Sequence, residues 1–119
     1  MTTSDRFISF AAGVAIALAL HLVAGWMFSP LGAVAAAWLR GRGTGILIGA
    51  VVLSGSWLLL ITYNFVVAPA ASAELTRVVA GIAGLGPGAM TIVLTCLVAA
   101  LLGAAGGGVG GALRRLRER

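Results

Sequence analysis

Charged positions are so rare along this chain that they divide it into three long apolar runs. Residues 7–39, 43–73 and 78–113 contain no Asp, Glu, Lys or Arg. A helix rises ~1.5 Å per residue, so about 20 apolar residues cross a ~30 Å hydrocarbon core. Each run is long enough for one crossing, and the pattern predicts an all-α integral membrane protein.

Helix-breaking residues set the bounds of the predicted elements. Ser29-Pro30 interrupts the first run, because proline removes a backbone donor and crowds the preceding turn, and Gly86-Pro87-Gly88 interrupts the third. We therefore predict three transmembrane helices in one membrane domain of residues 1–119. Their approximate bounds are 7–28, 44–68 and 89–113.

Two shorter apolar segments lie between these spans. Segment 31–39 either continues the first helix past a kink or is a half-helix that turns back, and segment 73–85 is predicted to be a short re-entrant or interfacial helix. A four-span alternative folds 7–39 into a hairpin with both termini inside. Its 33 residues fall short of two crossings of ~17 residues and a turn.

Composition places the chain outside the soluble class. Of 119 residues, 61% are hydrophobic and 9% are charged, with a mean hydropathy of +1.11, whereas a soluble domain carries roughly 25% charged residues. The net charge of +5 comes from eight arginines that lie mainly at span ends. A nucleic-acid site needs a basic stripe on a soluble face, so the predicted partner is the lipid bilayer and not nucleic acid.

The arginines also predict an orientation in the cell membrane. Cytoplasmic segments are rich in Lys and Arg, and two segments are basic here, whereas Glu74 offsets Arg77 in the loop between the second and third spans. With three spans, this places the N-terminus outside and the tail 114–119 in the cytoplasm. The topology-determining residues are Arg40, Arg42, Arg114, Arg115, Arg117 and Arg119.

Small residues recur every fourth position in the last span and lie on one helix face. They are Ala99, Gly103, Gly107 and Gly111, and a shorter pair, Gly45 and Gly49, begins the second span. Such faces let helices approach closely in lipid. The stripe predicts packing against a second copy or against the Gly45–Gly49 face of the same chain. We favour the second, although both can coexist.

Candidate chemistry is sparse. His21 is the one ionisable group well inside a span, where such groups are candidates for proton, ion or ligand contacts; a neutral histidine can equally be structural. Ser54 adds polarity on a possible pathway. The lone Cys96 cannot form an intramolecular disulfide, and no catalytic motif, cofactor motif or metal-ligand spacing is present. We predict no enzyme activity, no cofactor and no metal.

The order of segments resembles that of a group of small prokaryotic membrane proteins. A first span, a small-residue segment, an Arg/Gly loop and a glycine-rich last span that ends in arginines resemble Gly-rich polytopic proteins grouped as domains of unknown function. That resemblance implies no site residues. The leading hypothesis is a structural or accessory component that packs through glycine faces, in a homo-oligomer or a larger membrane complex. The alternative is a homo-oligomeric channel or transporter lined by His21, Ser54 and the segments broken at Pro30 and Pro87.

Overall fold

The computed structural model describes residues 3–40 and 44–119, and these residues form helices without any strand. The prediction of an all-α fold is confirmed. A 3₁₀ turn, Trp26–Phe28, lies between the first two of five α-helices. The helices are α1 (Thr3–Ala24), α2 (Pro30–Arg40), α3 (Gly45–Val67), α4 (Pro69–Ile82) and α5 (Gly88–Arg117).

Three of these helices, α1, α3 and α5, are long and apolar enough to cross a membrane. Their number is the number predicted. Helix α5 continues through the arginines to Arg117, because nothing after Leu113 breaks a helix and arginine is a good helix former. Most of the predicted tail 114–119 is therefore helical.

The chain reverses direction between α1 and α2. Gly25 ends α1 with a φ of +97°, a value that only glycine adopts readily. The Ser29 hydroxyl donates to the Trp26 carbonyl over 2.6 Å. Pro30 does not kink a longer helix, as one interpretation of the sequence had it; it is the first residue of α2, where its missing N–H has no helical acceptor to lose.

Helices α1 and α2 pack antiparallel at very short range. A Cβ atom added to Gly13 would lie 2.5 Å from the Ala36 Cβ, and one added to Gly32 would lie 2.5 Å from the Ala17 Cβ. Later residues of α1 thus meet earlier residues of α2. The two helices form a hairpin whose backbones approach as closely as small residues allow.

Helix α2 is the centre of the bundle. It packs against α1, α3 and α5, and its inner face is fully buried, consisting of Gly32, Ala33, Ala36 and Ala37. Its eleven residues give a length of about 16 Å, roughly half of a hydrocarbon core. Contacts between α2 and α5 run in the same order along both helices, so these two helices are parallel.

The structure does not support the predicted placement of the two termini on opposite sides. Since α1 is antiparallel to α2 and α2 is parallel to α5, the start of α1 and the end of α5 lie at the same end of the bundle. The prediction assumed that a chain reversal within 7–39 needs two full crossings. A helix of eleven residues makes the reversal in less space.

Helix α4 packs against α3 and α5 at the opposite end of the bundle. The Thr91 hydroxyl donates to the Thr76 carbonyl, and the Ser72 hydroxyl donates to the Asn64 carbonyl, each over 3.0 Å. Pro69 begins the helix. The predicted segment 73–85 thus lies mostly in a helix that starts four residues earlier.

Candidate functional site

The small residues predicted to pack lie in the contact between α3 and α5. A Cβ atom added to Gly49 would lie 2.8 Å from the Cα and the N of Gly107, and would meet the Gly103 carbonyl oxygen more closely still. One added to Gly107 would in turn meet the Gly45 carbonyl. We call Gly45, Gly49, Gly103 and Gly107 the glycine seam; no side chain fits at any of its four positions without moving a backbone.

The two ends of the predicted stripe have different surroundings. Ala99 is fully buried with Ala17 and Leu53, where α1, α3 and α5 meet. Gly111 is half-buried, and a Cβ atom added to it would have no neighbour within 4 Å among residues 3–40 and 44–119. The stripe is therefore in contact along most of its length and open at its basic end.

Four further glycines in close contact were not among the predicted packing residues. Gly106 and Gly110 of α5 face α2, where an added Cβ would approach the Pro30 and Val34 carbonyl oxygens, and Gly13 and Gly32 close the α1–α2 hairpin. A sequence signal exists, since Gly106 and Gly110 are four residues apart. It becomes informative only once α2 is known to pack on that side of α5.

The basic end of the bundle joins α5 to α2. The Arg114 Nη1 donates to the Trp38 carbonyl over 2.8 Å, and its Nε donates to Glu118 Oε1 over 2.9 Å. The Arg117 guanidinium lies 5.8 Å from the centre of the Trp38 ring, within cation–π range. Arg40 ends α2 at the same place. Arg42, also predicted to determine topology, lies outside the described residues.

A cleft of about 430 Å³ opens at this end between the start of α3 and the end of α5. Glycines of both helices line it, together with arginine and apolar side chains, Thr44 and Glu118. Its lining includes Ile46, Leu47, Gly108, Gly111, Arg114 and Arg115.

Among the described residues, the opposite end carries one ion pair, on the exposed face of α4. Arg77 Nη2 and Nε donate to Glu74 Oε1 and Oε2 over 2.5 and 3.0 Å. The hydrogen bond from Arg77, and then its charge, hold the pKa of the Glu74 carboxyl below its ordinary value; Glu74 raises the pKa of Arg77 in the same way. The pair is mutually neutralised, as the sequence indicated.

His21 lies near the turn between α1 and α2. Its Nδ1 is buried and has no hydrogen-bond partner among the described residues. The ring meets the Trp57 ring edge-on, with centroids 6.1 Å apart and planes at 78°. Both rings line an open groove of about 340 Å³, together with Trp26, Asn64 and Thr95.

The structure does not bring Ser54 to His21. Ser54 does not line that groove, and its hydroxyl donates to the Ala50 carbonyl of its own helix over 2.7 Å. Ser54 is thus satisfied locally, as serines in membrane helices commonly are. The predicted pathway pair therefore separates into a satisfied serine and an unsatisfied histidine.

Within residues 3–40 and 44–119, no three His, Cys, Asp or Glu side chains are grouped closely enough to hold a metal ion. The fold defines a small helical protein with three helices suited to a membrane. Comparison of the chain with protein-family models, curated proteins and solved structures finds no match. The resemblance to glycine-rich prokaryotic membrane proteins stays a prediction.

Proposed function

We propose that this protein is a non-enzymatic structural or accessory component of the cell membrane. The observation that carries the proposal is the closed core of the bundle. The three buried polar side chains of the described residues, Ser9, Ser29 and Ser56, each donate to a carbonyl three or four residues earlier. The core otherwise consists of Ala, Gly, Ile, Val and Leu, so it offers no polar route for a solute.

The glycine seam supports the same proposal. Its four residues pack inside the chain, so they are not available to bind a second copy through the same face. A small component of this kind presents apolar side chains to lipid or to a partner protein, and its interior is packed rigidly. Assembly with another membrane protein would use the outer faces of α1, α3 or α5, where many large apolar side chains are exposed.

We further propose that both termini lie in the cytoplasm, with α2 as a half-membrane helix. Arg6 and Arg40 share one end of the bundle with the arginines that close α5. At the other end, the described residues carry one arginine, Arg77, and Glu74 neutralises it. A distribution this uneven matches the excess of Lys and Arg in cytoplasmic segments.

Native mass spectrometry after gentle extraction from the host membrane tests the proposal. A hetero-complex of fixed stoichiometry is expected for the wild type and for Gly55→Leu, whose added side chain would project from α3 into open space. Gly107→Leu should lose the complex, because its side chain would collide with the Gly45 backbone. A closed homo-oligomer would instead support the channel or transporter alternative, and a lone monomer would contradict both roles.

One observation favours the alternative, a channel or transporter. The unsatisfied Nδ1 of His21 beside a groove is the feature that intramembrane proton or ion paths commonly show. An accessory role predicts that His21→Leu leaves the complex and growth unchanged. A transport role predicts that His21→Leu abolishes flux in proteoliposomes while the oligomer survives. Flux measured on wild type and variant in parallel decides between the two.

A further inference from the structure

Close contact between helices does not explain why residue 111 is a glycine. It continues the spacing of the glycine seam, yet an added Cβ would meet no described residue within 4 Å, whereas Gly107, one turn earlier, lies against the α3 backbone. The space beside Gly111 is the cleft between α3 and α5. Because Gly111 has no side chain, the cleft stays deep at this position, whereas a larger residue would fill it.

Two arginines give the cleft its charge. Arg114 is held in place by Glu118 and by the Trp38 carbonyl. Arg115 is exposed and makes no hydrogen bond or ion pair with the described residues. The Glu118 carboxylate also lines the cleft, and the Arg115 guanidinium brings to it a positive charge and donors that no described residue occupies.

Guanidinium groups bind phosphate oxygens through paired, charge-assisted hydrogen bonds. The opposite wall of the cleft is the first turn of α3, where the Thr44 side chain makes no capping hydrogen bond. The N-terminus of a helix carries the positive end of the helix dipole, which favours an anion beside it. An anion in the cleft would therefore meet Arg115 on one side and backbone donors on the other.

The remaining lining distinguishes a lipid from a free anion. Ile46 and Leu47 line the cleft and are 62% and 68% exposed. They lie on the spanning helix α3, directly beside the charged groups. A phosphate site that continues into exposed apolar surface at the basic end of a membrane helix matches the two parts of a phospholipid, a charged headgroup and an acyl chain.

We propose that this cleft binds one anionic glycerophospholipid, with its phosphate at Arg115 and an acyl chain along Ile46 and Leu47. The inference rests on the proposed membrane location and not on the accessory role. Such a lipid would bridge the start of α3 and the end of α5 at the point where the glycine seam stops. The bound lipid would fill the space between the two helices and so fix their spacing, and it could dissociate.

The test is native mass spectrometry of the full chain in micelles that contain equal amounts of phosphatidylglycerol and phosphatidylcholine. The wild type is expected to retain one phosphatidylglycerol in preference to phosphatidylcholine. Arg115→Gln should weaken that retention about tenfold, because it removes the charge-assisted hydrogen bonds. Gly111→Leu should weaken it as much by filling the cleft without changing any charge.

Arg119→Gln is the matched control, since it removes the same charge four residues away without altering the cleft lining. It should leave retention within about twofold of the wild type. An equal loss in Arg115→Gln and Arg119→Gln would mean diffuse attraction and would overturn the proposal. So would equal retention of the two lipids, or displacement of the lipid by millimolar inorganic phosphate, which would indicate a free-anion site. Far-UV circular dichroism checks the fold of Gly111→Leu; if it misfolds, the two arginine variants decide.

Discussion

The substitution Gly49→Ala should destabilise the bundle far more than one added methyl group suggests. The new Cβ would lie 2.8 Å from the Cα and N of Gly107, about 0.6 Å inside the 3.4 Å at which ordinary contact begins. It would overlap the Gly103 carbonyl oxygen more severely. None of these neighbours is a flexible side chain, so the only relief is for α3 and α5 to move apart.

The magnitude follows from that separation. A gap of ~0.5–1 Å forfeits a quarter to a half of the dispersion energy of each atom pair along a contact, and inserting a methyl group into a well-packed core costs roughly 1–3 kcal/mol. Lipid returns no hydrophobic gain for packing two helices together. The loss is therefore not offset, and at 2 kcal/mol it would lower the folded population relative to the unfolded about thirtyfold.

Gly55→Ala is the matched control for this prediction. Gly55 lies on the same helix, and an added Cβ there would meet nothing within 4 Å. Both variants gain the same intrinsic helix propensity of up to ~1 kcal/mol. The difference between their free energies of unfolding therefore isolates the contact between α3 and α5.

The assay is equilibrium unfolding in mixed micelles, driven by the mole fraction of sodium dodecyl sulfate and followed by tryptophan emission and circular dichroism. Gly49→Ala is expected to unfold with a free energy about 1–3 kcal/mol below that of Gly55→Ala. A difference under ~0.5 kcal/mol, the usual range for substitutions away from close contacts, would refute the reasoning. The helices would then not be in backbone contact at the glycine seam.

Three further predictions follow from the two ends of the bundle. In a Cys96→Ala background, Ser4→Cys should react with a thiol reagent confined to the cytoplasm, because α1 starts at the basic end. Reaction only from outside would support the orientation predicted from the sequence, with the N-terminus outside. Since the folded-state pKa of Glu74 is lowered, its ion pair stabilises the protein above the ordinary carboxyl range and is lost as pH falls through the lowered pKa. The stability difference between wild type and Glu74→Gln should therefore be small at pH 7 and should close below about pH 4. Arg114→Gln should destabilise the bundle by about 1–3 kcal/mol in the same micelle assay, because the Trp38 carbonyl loses a charged donor; an unchanged free energy would mean that water replaces it.

Length and spacing in the sequence were sufficient to predict the large elements. Uncharged runs longer than 20 residues predicted three helices suited to a membrane. A spacing of four identified the inward faces of α3 and α5, and the structure brings Gly49 and Gly107 of those faces together. Both inferences use properties of a single helix, namely its length and the spacing of its small residues.

The errors arose where two segments had to be considered together. The hairpin of α1 and α2 was set aside on a length argument that applies to complete crossings, whereas α2 has eleven residues. Because of that eleven-residue reversal, the start of α1 lies at the same end of the bundle as the end of α5, which the length argument did not foresee. Gly111 belonged to the stripe by spacing, but α3 begins at Gly45, opposite Gly107, so α5 has already passed the start of its partner at Gly111. No local pattern encodes where a neighbouring helix begins.

The short helix α2 explains why the chain needs glycine on several helices at once. A helix inserted among three others must let its neighbours approach closely, and α1 and α5 each present glycine toward it. Helix α3 instead packs Ile48 and Val52 against the alanines of α2. Its last turn leaves carbonyl groups without helical donors, and those groups lie inside the bundle's basic end. The Arg114 Nη1 donates to the Trp38 carbonyl there. The arginines of α5 therefore have a structural role besides orientation: one of them completes the hydrogen bonding of the helix around which the others pack.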